Sequence, residues 1–468
     1  MKRFIYKGIL FCLCAGLWGQ EAVKLTVDEA VKHALANSYQ LKSAQIDLAI
    51  KERADKNSWN TFLPAVNLTG TLSRSNSDFQ KTIDSAKSQT EAMGGLIAAL
   101  QGPPFNLPIP YTPIDYGTAA EADQWTMVAP GVSASWAFAP AMLIAIQAAH
   151  ADYETGLITW QQTQAQVELN VRKLFYGILM MQQNLEIQEE SLASAEERVK
   201  QAEASFRNGR QPELQYLQAQ VAYENSKPTV LQARQTIENN LETFAFLIGM
   251  PSGSIIELDG AIEPSYKDLN AEDLITQNLY KSFSLQSLEA NKNYLDLNKK
   301  ALNWQTWFPA ISIQYSYQLL RSLSDKEWYS DQVNNNLGGS LSITLAWNLS
   351  NLLPWSTQSQ QAKTLEDNLK KLDVSKQMAI DNAKIDINQK VKALELAQTQ
   401  IDAMEASVGL AQKAYDQTNT LYQNGLSELL DVRDAQNSLN QAKLGLLNQQ
   451  YTYLTGLLDL EFALNTKL

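Results

Sequence analysis

The chain contains an internal duplication, and this feature constrains its fold more than any other. The decapeptide WNTFLPAVNL at residues 59–68 returns as WQTWFPAISI at residues 304–313, with Trp, Thr, Pro and Ala in matching places. Further stretches align in the same order: 25–43 with 269–287, and 206–220 with 422–436. Because a repeated sequence builds repeated elements, we predict two structural repeats of the same layout, residues 21–250 and 251–468.

The first twenty residues are typical of a secretory signal peptide. Lys2, Arg3 and Lys7 precede an apolar run, and small residues follow near a plausible cleavage point around residue 20. We therefore predict a signal peptide at residues 1–20. Both cysteines, Cys12 and Cys14, lie inside it, so the mature chain would have neither a disulfide nor thiol chemistry.

Few binding chemistries fit the remaining composition. His33 and His150 are far apart and share no ligand spacing, so we expect no metal site and no cofactor. The formal net charge of −12 argues against nucleic acid as a partner, because phosphates are bound by clustered Lys and Arg. Lipid attachment at Cys14 stays open, although the bulky Leu13 disfavours it.

Four segments, two in each repeat, alternate apolar residues with small polar ones. A period of two predicts strands with one apolar and one polar face. Strands of this length, with aromatic residues near their ends, are typical of a transmembrane β-barrel. The residues that we expect to face the membrane are Val132, Trp136, Phe138, Ile311, Ile313, Tyr315, Leu341, Ile343, Leu345 and Trp347. A soluble sheet packed on another layer is the open alternative, whereas Pro130, Gly131 and Pro140 disfavour a membrane-spanning helix at 127–149.

Each repeat also contains long helical segments. A helix of about thirty residues is expected to open at Thr26 in the first repeat and at Asn270 in the second, and to end before Pro64 or Pro309. Pro228 should kink one of the later helices or break it in two. Those later helices are expected at about 141–207, 212–248, 351–423 and 427–464.

Four strands in one chain imply an assembly. About eight strands are the minimum for a membrane barrel, and each unpaired backbone group at an open edge in lipid costs several kcal/mol. The chain should therefore share its strands with copies of itself. Two copies would supply eight strands, and three would supply twelve and a wider lumen.

The sequence resembles the family of TolC-type outer-membrane efflux ducts over essentially its whole mature length. The resemblance is strongest in YQNGLSELLDVRDAQNSLNQAK at 422–443, in FRNGRQPELQYLQAQ at 206–220, and in the two Trp-x-Thr-x-x-Pro-Ala junctions. It implies an α+β membrane protein in which a long α-helical barrel of coiled-coil hairpins is continued by a transmembrane β-barrel. Four strands per chain would close as a homotrimer, located in the outer membrane and extending into the periplasm.

The same resemblance implies a passive exit duct of a tripartite efflux or type I secretion system. Its expected partners are a periplasmic adaptor (membrane fusion) protein, an inner-membrane transporter and outer-membrane lipid. An enzyme is not expected, because the chain has no nucleophile–base pattern, phosphate-binding loop or metal cluster. A trimeric outer-membrane structural or adhesin protein without a transport role is the alternative.

The resemblance assigns roles to residues near the two Asn-Gly turns. The adaptor-docking helix tips would be Asn208, Gly209, Asn424, Gly425, Leu426 and Ser427. The channel entrance would include Tyr422, Asp431, Asp434, Arg433 and Arg210. Asp431 and Asp434 share a helix face, and six such carboxylates in a trimer would favour cations; an ordinary solvated face is the alternative interpretation. Ser427 stands where related entrances often have arginine, so closure should depend on other contacts.

The segment at about 75–126 is much longer than its counterpart in the second repeat. It includes GGLIAALQGPPFNLPIPYTPID, which is apolar and rich in proline. We expect an external loop folded over the barrel mouth. A cell-surface adhesion or receptor site is the other interpretation.

Overall fold

The structure, a computed structural model, describes residues 23–75, 79–105, 107–112, 124–209, 211–324 and 335–468. The predicted signal peptide at 1–20, Cys14 and Arg210 lie outside these residues. The helices are α1 (Val27–Asn37), α2 (Tyr39–Lys56), α3 (Phe79–Gln101), α4 (Ala141–Arg207), α5 (Glu213–Leu247), α6 (Ala271–Asn278), α7 (Phe283–Trp307), α8 (Thr357–Gln423) and α9 (Leu429–Leu464). The strands are β1 (Val23–Leu25), β2 (Ala65–Ser75), β3 (Gln124–Phe138), β4 (Ile256–Leu258), β5 (Ala310–Ser324) and β6 (Asn335–Ala346).

The first long helix of each repeat is interrupted, which corrects the expectation of one continuous helix. Thr26 caps α1 in a reciprocal box with Glu29, and Asn270 caps α6. Extended backbone then breaks the helix at Ser38 and again at Ser282. The physical reason at Ser38 is tertiary, because the end of α5 packs there: Ile248 O lies 3.0 Å from the His33 ring nitrogen Nδ1. Local sequence signals do not encode such a contact.

The long helices lie close to their predicted bounds. α4 and α8 each contain 67 residues, which corresponds to roughly 100 Å of helix at 1.5 Å per residue. α8 begins later than expected, because a 3₁₀ turn at Leu349–Leu352 and Pro354 precede it. α5 continues through Pro228 and is not broken in two. Within the described ranges, none of the helices combines the length and the apolar character needed to cross a membrane.

The four longer strands form one antiparallel sheet in the order β2-β3-β5-β6. The register places residues of the same character side by side, since directly opposed residues point to the same face. One face has Ala134 opposite Tyr315 and Tyr315 opposite Leu341. The other face has Ser316 opposite Ser340, whose hydroxyl oxygens are 2.8 Å apart. The alternation seen in the sequence therefore becomes one apolar and one polar face.

The chain divides into two compact units. One comprises Asn57–Gln147 and Leu297–Thr364 and contains this sheet. The other comprises the residues up to Lys56 together with Ala148–Asp296 and Leu365–Leu468. Its apolar core has two clusters, one built from α1, α4, α5 and the short parallel pair β1–β4, and one from α8 and α9.

α8 has apolar residues on two opposite faces. One face packs against α9 and buries Ile387, Val391, Leu394, Ala397 and Ile401. The other face is exposed and carries Val374, Met378, Ile385, Leu396, Leu410 and Leu421. At 100° per residue these six exposed positions fall within an arc of about 40°, on the side opposite the buried face. We call them the α8 stripe.

α2 and α5 show the same two-faced pattern. Their exposed large apolar residues are Tyr39, Ile46 and Ile50 of α2, and Leu214, Leu217, Val221, Leu231 and Phe246 of α5, which we call the α2/α5 stripe. The buried face of α5 is formed by Ala219, Val230, Ile237 and Phe244. Among the described residues, α4 exposes the large apolar side chains of Leu143 and Phe206, and α9 exposes that of Leu430. α3 and α7 each expose two more, so the largest sets of exposed apolar side chains on the described helices are those of α2, α5 and α8.

Candidate functional site

Each helical hairpin turns at a glycine in the left-handed region. Gly209 has φ +69° and Gly425 has φ +74°, a conformation that costs other residues energy because of their Cβ atom. At the second turn, Gly425 N–H donates to Tyr422 O and Leu426 N–H donates to Leu421 O, both at 2.9 Å. This pair of bonds is a Schellman motif, which satisfies carbonyls at the end of α8. It leaves Leu426 three-quarters exposed at the tip.

Asp431 caps the N-terminus of α9. Its carboxylate accepts hydrogen bonds from the Ser427 hydroxyl at 2.8 Å and from the Glu428 N–H at 3.1 Å. These two bonds, the hydroxyl bond first, hold the pKa of Asp431 below its ordinary value because they stabilise the charged form. Ser427 therefore orients the carboxylate of Asp431, one of the residues predicted at the channel entrance.

Asp434 lies one helical turn further along, and its carboxylate is exposed. Arg433 Nη2 is 3.5 Å from its Oδ1, so these two predicted residues are in contact. Asp431 and Asp434 are both exposed, as expected for neighbours on one face of α9. Tyr422 lies on the last turn of α8, and Arg210 is outside the described residues. The structure thus brings Ser427, Asp431, Asp434 and Arg433 together at one end of α9.

A groove between the beginnings of α5 and α9 adds residues that sequence reasoning missed. The cavity has a volume of about 570 Å³, and its apolar lining includes Leu214, Leu217, Val221, Leu429 and Leu430. The predicted entrance residue Arg433 also lines it. The spacing of three and four residues from Leu214 to Val221 is a visible helical signal. Sequence alone does not tell whether such a face is buried or open.

Polar contacts hold α4 against α9 next to this groove. Arg198 of α4 donates to the side-chain oxygen of Gln436, a buried residue of α9. Further along, Lys443 Nζ is 3.3 Å from Glu190 Oε2. Val432, Leu439 and Ala442 of α9 are buried, and their spacing of seven and three residues places them on one face of the helix. These contacts join the two hairpins within one chain.

The residues predicted to face the membrane lie on the apolar face of the sheet. Val132, Trp136, Phe138, Ile311, Tyr315, Leu341, Ile343 and Leu345 are exposed, and Ile313 is half-buried. The row Trp136–Ile313–Ile343 runs across three strands, and Phe138–Ile311–Leu345 forms the next row. Trp347 lies just beyond β6, where its indole N–H donates to Thr306 O at 3.3 Å.

The long segment between β2 and β3 contains helix α3 rather than an irregular loop alone. The Tyr111 hydroxyl donates to Thr90 O at 3.0 Å, so the chain after α3 folds back along the helix. A Cβ at Gly94 would lie 3.0 Å from the Tyr111 ring, which shows how closely the two pieces approach. No cluster of three or more metal-ligating side chains occurs in the parts of the chain that the structure describes.

Comparison with known proteins identifies relatives of this fold. The family model described as outer membrane efflux protein matches residues 115–250 and 274–466. No curated protein matches the chain by sequence. The CmeC outer membrane channel of Campylobacter jejuni is similar in structure, with a TM-score of 0.71 and 15% identity over 94% of this chain and 85% of that chain.

Two further solved structures share the fold. The outer membrane protein VceC of Vibrio cholerae has a TM-score of 0.66 and 14% identity, over 94% of this chain and 96% of that one. The MtrE outer membrane channel of Neisseria gonorrhoeae, solved in its open state, has a TM-score of 0.67 and 16% identity, over 94% of this chain and 89% of that one.

Proposed function

We propose that this chain, which belongs to the outer membrane efflux protein family, is the exit duct of a tripartite efflux or type I secretion system. The family is one of channel proteins located in the outer membrane and extending into the periplasm. The finer proposal is a passive conduit that receives solutes from an inner-membrane transporter. The two-faced sheet carries this proposal, because its exposed apolar face suits lipid and its Ser-rich and Thr-rich face suits a wet lumen.

The sheet cannot span a membrane as a single copy. β2 and β6 are its outer strands, and each pairs on one side only within the described chain. An open edge in lipid is costly because its backbone groups have no water to bind. Three copies would supply twelve strands in which every edge is paired, and the result is a transmembrane β-barrel closed as a homotrimer.

The helices favour the same assembly independently of the strands. The α8 stripe and the α2/α5 stripe are apolar and exposed in the single chain, and each is on a helix whose opposite face is already packed. Apolar stripes of this length mark contact surfaces. Packing the α8 stripe of one copy against the α2/α5 stripe of the next is a head-to-tail contact, which forms a ring when the rotation closes.

The hairpin ends would dock the periplasmic adaptor and form the channel entrance. Leu426 is exposed at the second tip, and Leu430 at the start of α9 adds a second exposed apolar side chain outside both stripes. A helical hairpin of an adaptor would bury such a surface. Asp431 and Asp434 from three copies would place six carboxylates at the entrance, where their field favours cations.

The duct is tested by reconstituting the mature protein in a planar lipid bilayer. We expect discrete conductance steps from a particle with threefold symmetry. Threefold particles that insert but conduct no ions and pass no small solute would favour a structural or adhesin role instead.

The entrance is tested by neutralising its carboxylates without removing the helix cap. In the double variant Asp431→Asn plus Asp434→Asn, the amide oxygen at position 431 can still accept from Ser427 and Glu428. We expect a lower ratio of cation to anion permeability, measured as the reversal potential in a salt gradient. Glu395→Gln, on an exposed face of α8, is the matched control. An unchanged reversal potential in the double variant would show that Asp431 and Asp434 do not set the ion selectivity of the entrance.

A further inference from the structure

Each repeat contains a joint between the helix that precedes its first strand and the long helix that follows its second. In the first repeat α2 runs antiparallel to α4, and we call the contacts of Leu48, Lys51 and Asp55 with Gly156, Asp152 and His150 the α2–α4 joint. In the second repeat α7 meets α8 in the same way. The two joints have different chemistry, and this difference has a consequence for their response to pH.

The α2–α4 joint begins with a close approach of the two helices. A Cβ at Gly156 would lie 2.6 Å from Lys51 Cδ and 3.5 Å from Leu48 Cδ1, so the glycine leaves room for these side chains. Lys51 then reaches Asp152, with Nζ 2.8 Å from Oδ1. This part of the joint combines packing with an ion pair between lysine and aspartate.

The next contact along α2 depends on a histidine. His150 Nδ1 is 3.1 Å from Asp55 Oδ2 on α2, and His150 Nε2 is 3.7 Å from Glu154 Oε1 on α4 itself. Both ring nitrogens therefore face carboxylates, which is the arrangement that a protonated imidazole satisfies. Other ionisable groups nearby are Tyr153, whose ring centroid is 6.4 Å away, the Lys51–Asp152 pair, and Lys56, which pairs with Glu52 and also interacts with Asp55.

The hydrogen bond to Asp55 raises the pKa of His150 above its ordinary value. Because the folded-state pKa lies above the unfolded one, the protonated pair stabilises the joint fully below the ordinary histidine pKa of about 6.5. This stabilisation is lost as the pH rises through the raised folded-state pKa. Histidine is the side chain whose charge changes in this range.

The α7–α8 joint is closed by lysines instead. Lys292 Nζ is 2.6 Å from Asp373 Oδ1, and Lys376 pairs with Glu289. The hydrogen bond to Asp373 raises the pKa of Lys292, and the hydrogen bond to Lys376 lowers that of Glu289. Both shifts favour the charged forms, so Lys292 and Glu289 remain charged across the range in which His150 titrates.

We propose that the α2–α4 joint is a pH-responsive clasp, closed while His150 is protonated and looser once it is neutral, whereas the α7–α8 joint does not respond. The last turns of α2, which lead by chain connection into β2, would open locally at mildly alkaline pH. The two joints would then differ in rigidity, although each joins a helix before a strand to the long helix after the next strand. This inference does not depend on the proposed transport function.

Hydrogen exchange tests the clasp, because an exposed ion pair changes local opening more visibly than global unfolding. The experiment measures the protection of backbone amides in two segments, 46–56 and 286–296, on the assembled full-length protein. It compares about pH 6 with about pH 8.5, after the exchange rates are corrected for the intrinsic effect of pH. We expect the protection of 46–56 to fall by about two- to fivefold, the size of an exposed pair. Protection of 286–296 should not change.

Two variants separate the histidine from general effects of pH. His150→Lys keeps a cation at both pH values, so its protection in 46–56 should be independent of pH. His150→Gln removes the cation, so its protection should be low at both. The proposal is overturned if wild type and His150→Lys lose the same protection, or if 286–296 loses as much as 46–56.

Discussion

Gly249 lies where the end of α5 meets the break between α1 and α2, and it is in contact with neighbouring backbone. Its φ is +75°, and an added Cβ would lie 2.5 Å from Asn37 O. Gly253 has a similar φ of +85° but nothing within 4 Å of the corresponding position. Alanine at Gly253 would therefore have only the energetic cost of the left-handed conformation, whereas alanine at Gly249 would also have the cost of the clash with Asn37.

We expect Gly249→Ala to destabilise the protein clearly more than Gly253→Ala. Left-handed backbone should cost each alanine about 1–2 kcal/mol, and the clash with Asn37 should add about 1–3 kcal/mol at Gly249 only. The measurement is the midpoint of thermal unfolding of the purified protein in detergent. Equal midpoints for the two variants would contradict the close approach of Asn37.

At the scale of single elements, α5 carries a proline in its interior. Pro228 is exposed, and it removes one backbone hydrogen bond from a helix of 35 residues. We expect Pro228→Ala to raise the midpoint of thermal unfolding, by up to about 3 kcal/mol in stability. The exposed neighbour Thr229, changed to alanine, is the control and should gain only about 0.5 kcal/mol. A lower midpoint for Pro228→Ala would mean that α5 needs a bend there.

Some elements could be predicted from the sequence and others could not. The difference is whether an element depends on contacts between neighbours in the sequence or between distant segments. α4 and the turns at Gly209 and Gly425 depend on local propensity and on glycine, so their positions were predictable. The breaks at Ser38 and Ser282 depend on packing between distant segments. The groove at Leu214 and the cap of α9, in which Asp431 accepts from Ser427, likewise depend on how the helices pack or begin, which a residue pattern does not specify.

At the scale of the whole molecule, the α8 stripe predicts where copies of the chain meet. We expect Ile385→Glu to weaken the proposed homotrimer, because burying an aliphatic side chain of this size contributes about 1.5–3 kcal/mol and burying a charge is costly. The measurement is the fraction of trimer seen by native mass spectrometry in detergent.

Ala393→Glu is the matched control for this change. Ala393 is exposed on α8 and lies about 80° round the helix from Ile385, outside the α8 stripe. The Ala393→Glu substitution adds the same charge to the same helix but outside the proposed contact, so the trimer should persist. Dissociation by Ala393→Glu alone, or by neither variant, would contradict the proposed contact.

The short pairing of β1 with β4 affects the order in which the chain can fold. Val23 is opposite Ile256 and Leu25 is opposite Leu258. The first strand of the first repeat therefore pairs with a strand at the beginning of the second repeat. During export the N-terminal segment must wait until more than half of the polypeptide has emerged before it finds this partner, since such non-local contacts form late. A gene split between the repeats would therefore separate two strands that only a continuous chain keeps together.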